Sequence, residues 1–215
     1  MKYSLALFDF DGTIIDSAQG IIDSVLYALH KFGIQETDRE RLRAFIGPPL
    51  FESFRDFYGV SDDVATGLVS AYREFYGPEG HKRCRVYDGI PELLRELRNV
   101  GVITAVASAK PEDFVKKIVV EQGISEGFDI VKGNTFTNTD PDKTGILLDA
   151  IAMAGDIPKD EIVMIGDRHF DIDAGKALGV HTIGVAYGFG SLEELKACDS
   201  EFIAEDVSEL RNLLL

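Results

Sequence analysis

Basic residues are scarce in this chain. Twenty-two Lys and Arg face 37 Asp and Glu among 215 residues, a formal net charge of −15 with a pI near 4.6. A surface so negative repels phosphate backbones and anionic lipid, which argues against nucleic acid or membrane as the main partner. A small phosphorylated ligand stays admissible where a local pocket reverses the field. Cysteine is nearly absent: Cys84 and Cys198 lie far apart, with neither CxxC nor Cys/His spacing. That excludes a disulfide framework and a structural zinc site, and fits a reducing compartment. Long apolar runs are also missing. The opening MKYSLALFDFDGT meets Asp9 too soon for a signal peptide, and no segment approaches the roughly 18 apolar residues of a membrane span. The expectation is a cytoplasmic protein. No repeat, Walker-type phosphate loop, GxGxxG after a strand, HExxH or GxSxG occurs.

What remains is an ordinary globular composition, 45% hydrophobic and 27% charged, long enough for one large domain or two small ones. Short apolar, β-branched runs read as buried strands: Leu5 to Phe8, Val102 to Ala107, Phe128 to Val131, Ile162 to Ile165 and His181 to Val185. Between most of them lie stretches with helical spacing: Ile90 to Asn99, Glu112 to Gln122, Gly145 to Ala154, Asp171 to Leu178 and Leu192 to Ala197. This alternation predicts an α/β fold, a parallel sheet covered on both faces and joined by right-handed crossovers.

One stretch breaks the rhythm. From about Ile14 to Cys84 only helical patterning appears: Gly20 to Phe32, Asp38 to Phe45, Leu50 to Tyr58 and Asp62 to Tyr76. Gly33, Gly47-Pro48-Pro49, Gly59 and Gly77-Pro78 punctuate it. An insertion of this kind reads as a separate helical bundle, the plainer alternative being helices packed on the sheet. Its aromatic residues, Tyr27, Phe45, Phe54, Phe57, Tyr72 and Phe75, together with Tyr3, read as core rather than as a ligand cage. His30 and His81 fit no ligand pattern.

The candidate chemistry lies at strand tips, where open parallel sheets bind ligands. The first strand runs into Asp9-Phe10-Asp11-Gly12-Thr13. Alternation along a strand points Asp9 and Asp11 the same way, and two such carboxylates repel unless a cation or a shared proton joins them. The alternative is a surface Asp-Gly turn. The fourth strand ends in Gly166-Asp167, followed by Arg168-His169-Phe170-Asp171. Asp171 suits a helix N-cap or first turn, whereas Asp167 has little structural reason to end an apolar strand. Oxygen donors from neighbouring tips suit a hard cation such as Mg²⁺. After the second strand, Ser108-Ala109-Lys110-Pro111 leads into a helix, so Ser108 reads as part of an anion site or as a plain N-cap, two uses that are compatible. Lys143, preceding the helix that ends at Ala154, opposes the helix dipole unless it faces an anion; otherwise it is a solvated surface lysine.

DFDGT, the Ser at the second strand, the later Lys and GDRHFD, in this order, resemble the haloacid-dehalogenase-like phosphatases over essentially the whole chain. FIGPPL at 45–50 and YGFGS at 187–191 extend the likeness to the phosphoglycolate phosphatase and bacterial nucleotidase branch. One departure is that Lys143 is followed by Thr144 where many relatives have proline; Lys132 is a fallback for that lysine, although the spacing to Asp167 favours Lys143. The resemblance implies a Rossmann-like doubly wound parallel sheet for residues 1–14 and 86–215, with an inserted all-helical cap over 15–85 that closes on the site.

It also implies roles for named residues. Asp9 would be the nucleophile forming an aspartyl-phosphate, and Asp11 the acid and then the base. Mg²⁺ would be held by Asp9, Asp11 (through its carbonyl) and Asp167, with Asp171 orienting a water of the ion. Ser108, Ala109, Lys143, Gly12 and Thr13 would hold the phosphoryl group. Lys110 and Gly47 are candidates for contact with the rest of a small phosphorylated substrate. Arg168 and His169 would either steer anions or be solvated. The reaction implied is Mg²⁺-dependent phosphomonoester hydrolysis. The alternatives are a β-phosphoglucomutase-like phosphosugar mutase and a non-catalytic binding protein; a halide-releasing dehalogenase would need neither Asp11 nor Asp167.

Overall fold

The computed structural model describes residues 3–135 and 143–215. The chain divides into two compact units, one of Met1–Asp16 with Val86–Leu215 and one of Ser17–Arg85.

The larger unit is built on a parallel sheet. Its strands are β1 (Leu5–Phe8), β4 (Ile103–Pro111), β5 (Ile130–Asn134), β6 (Ile162–Gly166), β7 (His181–Val185) and β8 (Phe202–Ala204), in spatial order β5-β4-β1-β6-β7-β8. Every neighbouring pair is parallel. The central strands are apolar throughout because both faces are covered: β1 reads LALF and β6 IVMIG, buried at every position. From β1 the chain moves outward to β4 and β5, then returns beside β1 as β6 and proceeds the other way. The direction therefore reverses between β1 and β6, and the crevice beyond their carboxyl ends is where such sheets bind ligands.

Helices α5 (Ile90–Asn99), α6 (Glu112–Glu121), α7 (Lys143–Ala154), α8 (His169–Leu178), α9 (Leu192–Ala197) and α10 (Val207–Leu214) belong to the same unit. Helix α5 shows why such segments are helical. Gly89, at φ +90°, starts it, Pro91 occupies its first turn, and Ile90, Leu93, Leu94 and Leu97 form one buried stripe. Below the sheet, Ile146, Leu147 and Ala150 of α7 pack in one cluster with Leu5, Leu7, Ala105, Ile162 and Met164.

The second unit is helical: α1 (Ala18–Lys31), α2 (Arg39–Arg43), α3 (Leu50–Tyr58) and α4 (Asp62–Tyr76). Asp38 and Ser61 cap α2 and α4 through their side chains, and Gly59 ends α3 in the left-handed region. Phe45 and Phe54 are buried with ring centroids 4.8 Å apart, and Tyr27 stacks on Phe75 at 5.2 Å. His81 is fully buried, with Nδ1 3.2 Å from the Tyr76 carbonyl.

Several expected boundaries move. Two short strands, β2 (Ile15–Asp16) and β3 (Arg85–Val86), pair with each other; two residues carry no readable period. β8 and α10 were not expected: three residues between Glu201 and Glu205 form too short an apolar run to stand out. β5 starts two residues after Phe128. α7 and α8 start two residues earlier than expected, at Lys143 and His169.

The second strand differs most. β4 continues through Ser108, Ala109 and Lys110 to Pro111, with a register shift against β5 between Ala107 and Pro111. Proline disfavours helical geometry in the residue before it, so Lys110 stays extended and α6 starts only at Glu112. Ser108 is therefore not a helix N-cap; that position belongs to Pro111.

Candidate active site

Asp9 and Asp167 each follow the last residue of a central strand, β1 and β6, on either side of the reversal point. The Asp9 N–H donates to the Ile165 carbonyl at 2.8 Å, which carries β1 pairing one residue past its end. Asp9 is 9% exposed and Asp167 fully buried. Asp171 lies in the first turn of α8 and closes a capping box there: its Oδ2 accepts the Arg168 N–H at 3.2 Å. The capping reading and the site reading of Asp171 thus coexist in one side chain.

Oxygens of Asp9, Asp167 and Asp171 all lie within 4.8 Å of one another. Glycine makes this approach possible. A Cβ on Gly166 would fall 2.3 Å from the Asp171 side chain, and one on Gly12 would fall 2.3 Å from Asp167 Oδ2. Gly12 also adopts φ +86°, where only glycine is unstrained.

Lys143 is the first residue of α7, and its ammonium lies 2.6 Å from Asp9 Oδ1 and 2.7 Å from Asp171 Oδ1. The unfavourable dipole position is thereby matched by two anions. Lys132 instead pairs with Asp149 at 2.7 Å. Burial pushes the Asp9 carboxyl up to about 6; Lys143 works against this, while Asp171 and Asp11 add to it. Burial alone would lower the Lys143 ammonium, but Asp171 and Asp9 hold it above its ordinary value. Asp167 is raised well above its ordinary value by burial, and then by Asp171 and Asp9.

Asp11 lies in the turn after β1, and its carboxylate is paired with Lys110: Nζ is 2.9 Å from Oδ1 and 3.0 Å from Oδ2. Ser108 is buried, and its Oγ accepts the Lys110 N–H at 3.3 Å. Ala109 is half-buried in the same extended segment. Thr13 is fully buried; its carbonyl accepts the Tyr187 hydroxyl at 3.0 Å, and its own Oγ1 has no hydrogen-bond partner among the described residues. Gly47 belongs to the helical unit, in the turn between α2 and α3 at φ +105°.

Other residues shape this site without having been given this part by the sequence. Asp167 Oδ2 accepts backbone N–H groups from Phe189 at 2.7 Å and Gly190 at 3.3 Å. A Cβ on Gly190 would fall 1.8 Å from the Asp167 carbonyl oxygen, and one on Gly188 2.4 Å from the Asp167 Cβ. The Gly-x-Gly pattern just past β7 was the signal available for this loop. Glu194 of α9 accepts Arg168 Nε and the His169 N–H on the same oxygen, each at 2.9 Å. Arg168 is thereby tied to Glu194, which clamps the loop between Asp167 and Asp171.

The donor set fits a hard divalent cation. It is all carboxylate, its three acids bring oxygens within 4.8 Å of one another, and Asp167 Oδ1 is buried with no hydrogen-bond partner among the described residues.

The model of the family described as haloacid dehalogenase-like hydrolase matches residues 6–185. The chain is 37% identical to a 5'-nucleotidase of Pseudomonas aeruginosa, over all of this chain and 96% of that protein. It is 32% identical to the tyrosine-protein kinase PtkA of Mycobacterium tuberculosis, over 98% of this chain and 72% of that protein. It is 28% identical to a phosphoglycolate phosphatase of Vibrio parahaemolyticus, over 96% and 93%. The crystal structure of a predicted phosphatase from Clostridium acetobutylicum superposes with a TM-score of 0.92 at 37% identity, covering 100% of this chain and 99% of that one. With a family match over most of its length and a relative this similar end to end, the chain belongs to the haloacid dehalogenase-like hydrolases.

Proposed function

We propose that this protein is a Mg²⁺-dependent phosphatase that hydrolyses a small phosphorylated metabolite, through a phosphoryl group carried on Asp9. Similarity to a 5'-nucleotidase and a phosphoglycolate phosphatase supports the reaction class. The observation that carries the reading is Lys143 bridging Asp9 and Asp171 beside Asp167 at the reversal point of the sheet.

Asp9 attacks phosphorus, the bond to the leaving oxygen breaks, and Asp11 gives that oxygen its proton. In the second half, water attacks the phosphoryl group on Asp9, its proton passes to Asp11, and the Asp9 carboxylate is released with inorganic phosphate. Lys143, with the Ser108 hydroxyl and the Ala109 N–H, holds phosphoryl oxygens where charge spreads in the transition state; Gly12 and Thr13 line the same phosphate position. The unpartnered Thr13 Oγ1 is in keeping with that. Asp9, the Asp11 carbonyl and Asp167 would hold the cation, with Asp171 beside them. When bound, the cation supplies the positive charge that lets an anionic carboxylate approach an anionic phosphate.

The test is phosphate release from a panel of phosphomonoesters that includes p-nitrophenyl phosphate, phosphoglycolate and nucleoside monophosphates, with Mg²⁺ and again with EDTA. Release that requires Mg²⁺ and is lost in Asp9→Asn supports the reading, and the highest kcat/KM names the substrate class. No release from a folded, metal-bound protein overturns it and moves the weight to a phosphosugar mutase or a binding protein.

A further inference from the structure

Lys110 has no part in the steps above, although its pair with Asp11 is among the most enclosed ion pairs of the larger unit. Lys110 and Asp11 side chains are 6% and 16% exposed, whereas most other pairs lie on the surface. An exposed pair contributes little, because water and salt screen it; this one is shielded. Its geometry is also particular. The ammonium sits almost equally from both carboxylate oxygens, at 2.9 and 3.0 Å, so it faces the end of the group and holds both oxygens in place.

The backbone that carries Lys110 is held in turn. Pro111 keeps Lys110 extended, and Gly133 lets β5 come against it: a Cβ on Gly133 would fall 2.7 Å from the Lys110 carbonyl oxygen and 2.5 Å from Glu112 Cα. The Gly133 N–H donates to Glu112 Oε2 at 3.2 Å. The lysine therefore enters the site from a fixed backbone.

We infer that Lys110 is a positioning residue that holds the Asp11 carboxylate for the second half of the reaction, the attack of water on the phosphoryl group of Asp9. The inference rests on the roles given to Asp9 and Asp11 above. After the first half, Asp11 has lost its proton to the leaving alcohol and is the charged, two-oxygen partner that this geometry suits. Held there, it takes one proton from the attacking water as the new O–P bond forms and the Asp9–phosphorus bond breaks. Asp9 leaves as a carboxylate, and Asp11 returns to its protonated form.

The experiment is rapid mixing of p-nitrophenyl phosphate and Mg²⁺ with wild-type protein, Lys110→Met and Lys110→Arg, with acid quenching to count protein-bound phosphoryl groups. The p-nitrophenolate leaving group departs without needing a proton, so the first half proceeds whatever happens to Asp11. Lys110→Met is expected to give a burst of p-nitrophenolate, a phosphoryl adduct that accumulates, and a steady rate lower by about 10- to 100-fold, within the range of general base catalysis. Lys110→Arg, which keeps the charge, is expected to recover most of that rate and lose most of the adduct. A raised KM at unchanged kcat would place Lys110 on the substrate and overturn the inference. So would a lower kcat with no accumulating adduct, the signature of a merely structural residue. If wild type and both variants release phosphate but none carries an adduct under any quench, the role of Asp9 itself fails, and this inference fails with it.

Discussion

The backbone N–H of Phe189 donates to Oδ2 of Asp167 at 2.7 Å, so one oxygen of this fully buried carboxylate is fixed by the loop after β7 while the other has no hydrogen-bond partner among the described residues. An arrangement of this kind is costly without a cation. Burial raises the Asp167 carboxyl in the folded state, so its ionisation destabilises the metal-free protein at every pH above the unfolded value of about 3.9. The sign is that of a raised acid: the folded state binds the extra proton, and stability falls as pH rises. Asp167→Asn keeps the acceptor for Phe189 and removes the charge. In EDTA at pH 7 the variant is expected to be more stable than wild type by on the order of 1 kcal/mol, or about 2–4 °C in Tm. The gap closes toward pH 4, and added Mg²⁺ raises the Tm of wild type only. Calorimetry across pH checks this.

Lys143 stands against two acids, with a third beside them. Lys143→Ala leaves Asp9 and Asp171 buried without their cation. Breaking a buried pair from one side costs about 3–5 kcal/mol, which for a chain of this size lowers Tm by about 6–20 °C. Thermal unfolding in EDTA measures the loss, and saturating Mg²⁺ is expected to recover part of it while activity stays at least about 100-fold down.

Gly190→Ala tests the loop. The added methyl would fall 1.8 Å from the Asp167 carbonyl oxygen, a backbone atom that cannot turn aside. Overpacking of this kind costs about 1–3 kcal/mol, and here the displaced group carries a cation ligand. Titration calorimetry is expected to show weaker Mg²⁺ binding together with the lower stability.

Glu194→Gln keeps an acceptor for the His169 N–H but loses the charge that holds Arg168. A drop in Mg²⁺ affinity of about tenfold is expected, the low end for residues that orient ligands from outside, with little change in the unfolding temperature. An unchanged affinity would show that the loop needs no clamp.

The sequence disclosed what rests on local pattern. Continuous apolar runs marked β1 and β6; the paired Asp9 and Asp11 after the first stood out against the alternative of an Asp-Gly turn, and Asp167 after the second because it had little structural use. Asp171 could be read as a helix-capping residue, and it is one. What the sequence could not disclose are partners distant in the chain. Nothing local pairs Lys110 with Asp11 or sets Glu194 on the Arg168 loop. Of the readings of Ser108 only the helix-cap alternative falls, because β4 runs on to Pro111 and the cap position belongs to that proline. β8 stayed hidden because three residues carry too little periodicity to be seen.

The central claim is that Asp9 carries the phosphoryl group. The direct test is to mix the protein with p-nitrophenyl phosphate and Mg²⁺, quench in acid within the first turnover, and locate any phosphoryl adduct by peptide mass spectrometry. The account predicts an adduct on Asp9, in the peptide containing Asp9-Phe10-Asp11, that disappears as phosphate is released and never forms in Asp9→Asn. An adduct on any other residue, or full-rate phosphate release by Asp9→Asn, would contradict it.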